Sequence, residues 1–233
     1  MGAAGSDYLA VGRDMKERAY SQKDLLDKFA KASQWYKPNL ILRYGPEPGT
    51  ALVRQAQREY EELMPDIPFI GGPGVHMTED LLESAQVLAY LRVLKRQGKT
   101  LDESWEIVSS ALKTRVAEYP RLVIKLAGLR AFSSFYVRSL QRQAFESHKR
   151  KYPGGFVFDI VLGNGQAFDW GLDFTECGIC KFYQAQSATE FLPMVCSLDY
   201  ILSDALGYGL ARTQTLAEGA ERCNPRLKKG RAT

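Results

Sequence analysis

The fold turns on residues 154–180, GGFVFDIVLGNGQAFDWGLDFTECGIC. Phe156-Val157-Phe158-Asp159-Ile160-Val161-Leu162 and Ala167-Phe168-Asp169-Trp170-Gly171-Leu172-Asp173-Phe174 are aromatic and β-branched runs of strand length. Asn164-Gly165 between them is a hairpin signal, because a type I′ turn needs two residues at positive φ. On both sides of this hairpin the period becomes helical. Upstream, Leu25, Leu26 and Phe29 share a face of a helix over 22–36, and Pro38, Pro46 and Pro48 mark a connection. A second helix is expected from about Thr50 to Leu63, with Val53, Ala56, Tyr60 and Leu63 inward. Pro65 to Gly74, with three prolines and three glycines, must be a loop. Thr78 can cap a helix through Leu81, Leu82, Ala85, Leu88, Leu91 and Leu94 that Gly98 ends. Thr100-Leu101-Asp102-Glu103 is a capping box opening a helix to about Glu118, and Pro120 starts a helical stretch to about Lys151.

Downstream, helices are expected at about 176–187 and 189–205, then a strand from Leu210 to Leu216 and a basic tail. The order defines an α+β fold: a helical N-terminal two-thirds, then a small antiparallel sheet, hairpin plus return strand, with helices inserted. Residues 1–20 lack periodicity and are expected to be a flexible N-terminus; residues 21–233 are expected to form a single α+β domain.

Composition narrows the class without naming a chemistry. The chain has 233 residues, 45% apolar and 25% charged, with a net charge of +4. That excludes a disordered chain, a collagen-like repeat and a disulfide-stapled miniprotein. The longest apolar stretch, Leu122 to Leu140, is broken by Lys125, Arg130 and Arg138, so no integral membrane segment is expected. No secretory signal is visible, and four cysteines read as free thiols, so a cytoplasmic protein is expected. Met1-Gly2-Ala3-Ala4-Gly5-Ser6 fits a myristoylation pattern, but so short a pattern matches often by chance, and a plain flexible terminus of small residues is the expected reading. Residues 121–151 are strongly basic, as is the tail. With no RNP-like motif, GXXG loop or zinc-finger spacing beside them, they read as solvated faces and no nucleic-acid partner is expected.

All four cysteines, Cys177, Cys180, Cys196 and Cys223, fall in the last 57 residues. Thr175 is a natural N-cap, which would put Cys177 of the C-x-x-C pair in a first helical turn. Backbone N–H groups and the helix dipole stabilise a thiolate there. A zinc site, a redox pair and inert buried thiols compete with a reactive cysteine. Zinc would want two close pairs, and Cys196 and Cys223 are not one. Of two histidines, His76, after the Gly71-Gly72-Pro73-Gly74 loop, is the better candidate for a site; His148 lies in a basic helix end. HExxH, Walker A and Rossmann patterns are missing.

Three ordered segments carry a resemblance. Asp173-Phe174-Thr175-Glu176-Cys177 is similar to a "D-Y-T-x-C" motif, Cys196-Ser197-Leu198-Asp199-Tyr200 to "C-x-x-D-F", and Arg212 through Cys223 to "R-T-x-T-L-x-x-G-x-x-x-C". Pro68-Phe69-Ile70-Gly71-Gly72 is similar to a "Y-I-G-G" loop. Over about residues 60–230 the chain thus resembles the L-2-amino-thiazoline-4-carboxylic acid hydrolase family. It departs from the pattern at Asn224-Pro225, where an Asp-Phe pair is expected, and at Val75, where an asparagine is expected nearby.

The resemblance implies ring-opening hydrolysis of a small, carboxylate-bearing substrate. Water adds to the amidine carbon of a cyclic isothiourea and a ring bond breaks. It implies Cys177, Asp199, Cys196 and Cys223 as catalytic candidates, with Asp173 an alternative to Asp199 in handling water or a proton. Arg212 would hold the substrate carboxylate, and Thr213 and Thr215, alternating in a strand, would share a pocket with Thr175, Asp173, Gly71, Gly72 and His76. No cofactor is required, although a zinc ion held by Cys177, Cys196 and Cys223 is the rival mechanism. Another enzyme on the scaffold (a cyclase, isomerase or lyase of specialised metabolism), a non-catalytic binding protein, and self-association into a homodimer are left open.

Overall fold

A computed structural model describes residues 20–72, 74–164 and 167–230. The myristoylation-like start, most of the expected flexible N-terminus and Gly165 of the hairpin turn lie outside them. Eight α-helices and four strands are present among the described residues.

Helix α1, Gln22–Tyr44, is longer than its periodicity suggested and runs through Pro38. Packing overrides the local cost of the proline. Trp35, Tyr36 and Leu40 are buried around it, and the Asn39 amide ties the turn to Trp35 O at 2.8 Å and to Thr114 Oγ1 at 3.1 Å. Pro46 and Pro48 do not form a linker. They open α2, Pro46–Leu63, where a missing N–H costs nothing, after a single-residue joint at Gly45 with φ 92°. Gly49 lets the two helices cross closely: a Cβ there would lie 2.7 Å from the Ile41 backbone. Inside this half, buried Glu59 of α2 receives Arg92 at 3.0 Å and Arg96 at 2.5 Å from α3, Met77–Arg96.

His76, not Thr78, occupies the N-cap position of α3, and the Thr78 hydroxyl donates back to Gly72 O at 2.8 Å. The capping box forms as expected and opens α4, Leu101–Ala117. The long stretch after Pro120 divides into α5, Arg121–Arg130, and α6, Ser134–Ser147. The division falls where Ser133 turns the chain and accepts a hydrogen bond from Tyr136 N.

Strands β1, Val157–Leu162, and β2, Trp170–Glu176, pair antiparallel from Val157↔Glu176 to Leu162↔Trp170, with a bulge at Val157/Phe158. Helix α7, Gly178–Ala185, follows directly, then α8, Leu192–Leu206, closed by Gly207 at φ 78°. The return strand β3 is short, Tyr208–Ala211, and the chain has left the sheet by Thr213. The basic tail supplies a further strand instead: β4, Arg226–Lys229, lies between β2 and β3 in the order β1-β2-β4-β3. Its charge hides a strand whose Leu227 is buried while Arg226 pairs with Asp173 at 2.6 Å.

Two apolar clusters result. The larger is helical, from Leu25 to Val195; the smaller joins Leu140 and Ala144 of α6 to Phe158, Trp170, Leu172 and Leu227 of the sheet. Met77 and Phe156 pack against both. Among the described residues no helix is long and apolar enough to cross a membrane.

Candidate active site

Strand β2 ends at Glu176 and Cys177 takes extended backbone angles, φ −119° and ψ 119°, as the N-cap of α7. It therefore precedes the helix and is not in its first turn, while Thr175 stays in the strand, exposed, with its hydroxyl toward Val157 O at 3.4 Å. The thiol gains rather than loses by this. It makes no capping hydrogen bond of ordinary geometry, yet the N–H groups of Ile179 and Cys180 face its sulfur and favour its anion. The larger effect is the Cys180 thiol, which donates to Cys177 sulfur; together these overcome burial and hold Cys177 below the usual thiol range. Cys180 is pushed strongly up by the same hydrogen bond, then by burial and by the neighbouring sulfurs. The hydrogen bond between the two thiols thus favours the anion on Cys177 and the proton on Cys180. Gly178 makes the junction tight: a Cβ there would meet Gly154 O at 2.7 Å and Phe156 at 2.8 Å.

Cys196 and Asp199 are one turn apart on α8 and face the same way. Arg212, just past β3, locks that turn: Nη1 donates to Asp199 Oδ2 at 2.9 Å and Nη2 to Cys196 O at 2.7 Å. Its side chain is only 7% exposed, and Nε is buried without a partner among the described residues. Cys223 pairs with Phe174 by mutual backbone hydrogen bonds, which brings it to the end of β2; its sulfur accepts from Leu216 N at 3.0 Å. The four sulfurs, Asp199 and Arg212 feel one another's charge, so the structure brings them into one neighbourhood. Burial raises Cys196 to about 12 and raises Cys223, so neither is a ready thiolate. Burial also raises Asp199, against the Arg212 guanidinium.

Other expected site residues have different work. Two of the five Arg212 N–H donors are used by Asp199 and by Cys196 O, and Nε is unpartnered among the described residues. Asp173 is committed to Arg226 at 2.6 Å and Arg222 at 3.3 Å. Thr213 and Thr215 do not alternate in a strand. The Thr213 hydroxyl accepts from Asn224 Nδ2 at 2.8 Å, and Thr215 caps the short turn Leu216–Glu218. Gly71 (φ 120°) and Gly72 (φ 75°) shape the loop before α3. His76 stands against Ser139 and Tyr136 of α6, its imidazole held below its usual value by burial and Arg130. Among the described residues no hydrogen bond joins these three to the cysteines. Among the described residues no group of three or more His, Cys, Asp or Glu side chains is arranged to hold a metal ion, so cysteine-ligated zinc finds no support in the geometry.

Beside the cysteines lies a cavity of about 680 Å³ between α1, α3, α4, α5, α7 and α8. Trp35, Val108, Ala111, Val123, Leu198 and Leu202 give it an apolar wall; Asp80 and Asp199 open onto it, and Ile179 links it to the Cys177 helix. The cysteines themselves are not on that wall. Asp199 is the common member, touching Arg212 on one side and the cavity on the other. Sequence inspection passed over Asp80, which reads as an ordinary first-turn acid of α3. The available signal was its spacing: Asp80, Glu83, Ser84 and Val87 form an i, i+3, i+4, i+7 row, and all four line the cavity.

A helical array around a cavity, with an acid–arginine pair reaching its wall and the four cysteines beside it, stands against the small sheet of this α+β protein. The chain belongs to the L-2-amino-thiazoline-4-carboxylic acid hydrolase family, whose model matches residues 80–227, more than half of the sequence. That span runs from Asp80 through all four cysteines and Arg212. No curated protein and no solved structure matches the chain.

Proposed function

We propose that this protein is a hydrolase opening a cyclic amidine of the thiazoline type, with Cys177 as nucleophile. The observation that carries the reading is the division of labour at the start of α7: Cys177 is favoured as a thiolate by Cys180 and two backbone N–H groups, within reach of the charge of a carboxyl group that Arg212 fixes.

Cys177 sulfur adds to the amidine carbon, and the C=N electron pair takes a proton at nitrogen. The ring C–S bond then breaks, the substrate sulfur leaves as a thiolate that collects a proton, and the carbon remains bound to Cys177. Water adds to that carbon, the bond to Cys177 breaks, and a urea-type product departs with the thiolate restored. Asp199 carries the protons: burial and Arg212 oppose each other in setting its affinity, which suits a group that must both give and take. Arg212 is a positioning residue for Asp199.

The test is turnover of 2-amino-thiazoline-4-carboxylate by metal-free protein. Stoichiometric alkylation of Cys177 should abolish it, and Cys177→Ala should lower kcat by ~10³-fold or more. Full activity in Cys177→Ala would remove the nucleophile, and activity that chelators abolish would move the chemistry to a metal.

A further inference from the structure

We infer that the cavity between α1, α3, α4, α5 and α8 binds the apolar body of a substrate bearing a basic nitrogen, an amine or amidine, whose N–H groups donate to the Asp80 carboxylate. This deepens the hydrolase reading by naming a substrate class, and rests on it only for the word substrate.

Size comes first. The space, about 680 Å³, would hold roughly twenty waters at ~30 Å³ each. It is far larger than a five-membered ring with two small substituents needs, and it is in the range of drug-sized ligand sites. Its wall is mostly apolar, so a small charged heterocycle alone would leave most of it unfilled.

Charge comes second. The polar groups on the wall are largely paired: Lys28 with Glu79 at 2.5 Å, Arg115 with Glu83 at 2.7 Å, and Asp199 with Arg212 at 2.9 Å. Asp80 has no hydrogen bond or ion pair among the described residues. Its carboxylate opens onto the cavity, which makes it accessible, while protein surrounds it, which makes it costly to charge. Glu79 and Glu83 of its own helix and Asp199 of α8 add negative charge; Arg115 of α4, already paired, is the opposing cation. Tyr136 of α6 and Tyr208 of β3 also feel its charge, and Lys28 and Lys31 of α1 stand on the same cavity wall. Burial, then these acids, push Asp80 up to about 7. Among the described residues Asp80 is the carboxylate of the wall that has no ion pair, and a cationic ligand supplies one.

The probes are 4-phenylbutylamine, 4-phenylbutanoate and 4-phenylbutan-1-ol, titrated calorimetrically into the full-length protein and into Cys177→Ala between pH 6 and 8. The amine should bind tightest to both proteins. Its affinity should rise ~tenfold across that range as Asp80 passes through about 7 and loses its proton. Asp80→Asn should weaken the amine ~tenfold or more and leave the alcohol unchanged. Carboxylate binding as tight as amine binding, amine affinity that is flat or falls with pH, or an amine indifferent to Asp80→Asn would overturn the inference. The comparison of the three probes needs no variant, so a poorly folding Asp80→Asn does not blunt the test. Binding to Cys177→Ala separates the two proposals: turnover that survives that substitution ends the nucleophile and leaves the amine site standing.

Discussion

Cys177 owes its lowered thiol pKa in part to a one-residue distinction. As the last extended residue before α7 it keeps the helix N–H groups in front of its sulfur, and Cys180 reaches back one turn with its own proton. The sign of the coupling is fixed: the Cys180 S–H stabilises the charged form of Cys177, so removing it must raise the Cys177 pKa. Cys180→Ala should slow alkylation of Cys177 by iodoacetamide at neutral pH by ~tenfold, the worth of one charge-assisted hydrogen bond. Raising the pH should recover the rate, and an unchanged rate at pH 7 would show that the backbone alone sets the thiolate. At this scale much was legible. A strand running into a helix at Cys177, and Cys196 and Asp199 at i, i+3, are local patterns that survive folding unchanged. The two threonines were not, because Thr213 and Thr215 are governed by Asn224 and Glu218, partners that a strand's alternation does not reveal. Asp80 was not, because its meaning comes from α4, α5 and α8, which complete the cavity wall it stands on.

Elements carry the cavity, and one close approach among them is the crossing of α5 over the end of α8. Gly128 is buried there, and a Cβ on it would lie 2.0 Å from Leu206 O. Backbone cannot yield as a side-chain tip can, so α5 must lift, and with it Val123, Ile124 and Ala127 of the cavity wall. Gly128→Ala gains about 1 kcal/mol of helix propensity and loses more to overpacking, ~1–3 kcal/mol, with further loss where the wall parts. The expected result is a Tm lowered by ~5 °C, with weaker binding of apolar amines. Gly74→Ala, with no atom within 4 Å of its Cβ, should melt like the parent. A thermal shift assay decides, and a Gly128→Ala protein as stable as the parent would mean that α5 is not seated as described. The helices were readable because caps and apolar spacing are local. Pro38 and the β4 strand misled for one reason: a helix-breaking residue and a run of basic residues were each overruled by tertiary packing, around Leu40 and around Leu227.

At the scale of the whole molecule the proposed site lies at a seam. Cys177 leaves the sheet whose core contains Trp170 and Leu172, while Asp199 rides on α8, whose Val195 belongs to the helical core. Met77 and Phe156 pack against both clusters, and α7 continues from β2 with no connecting loop beyond Cys177. If the thiol and the acid are to keep a fixed separation, the two cores cannot open independently at low free energy. Hydrogen exchange followed by mass spectrometry in increasing urea tests this on the unaltered protein. Amides of α3 around Leu88 and Leu91 and of β2 around Leu172 and Phe174 should differ in native buffer and converge on one isotherm as global unfolding takes over. A sheet that reaches its own plateau at lower free energy would make residues 21–233 two cooperative units. Alkylation of Cys177 would then track the opening of the sheet and not that of the chain, and the pairing of Cys177 with Asp199 would be an encounter between units and not a built site.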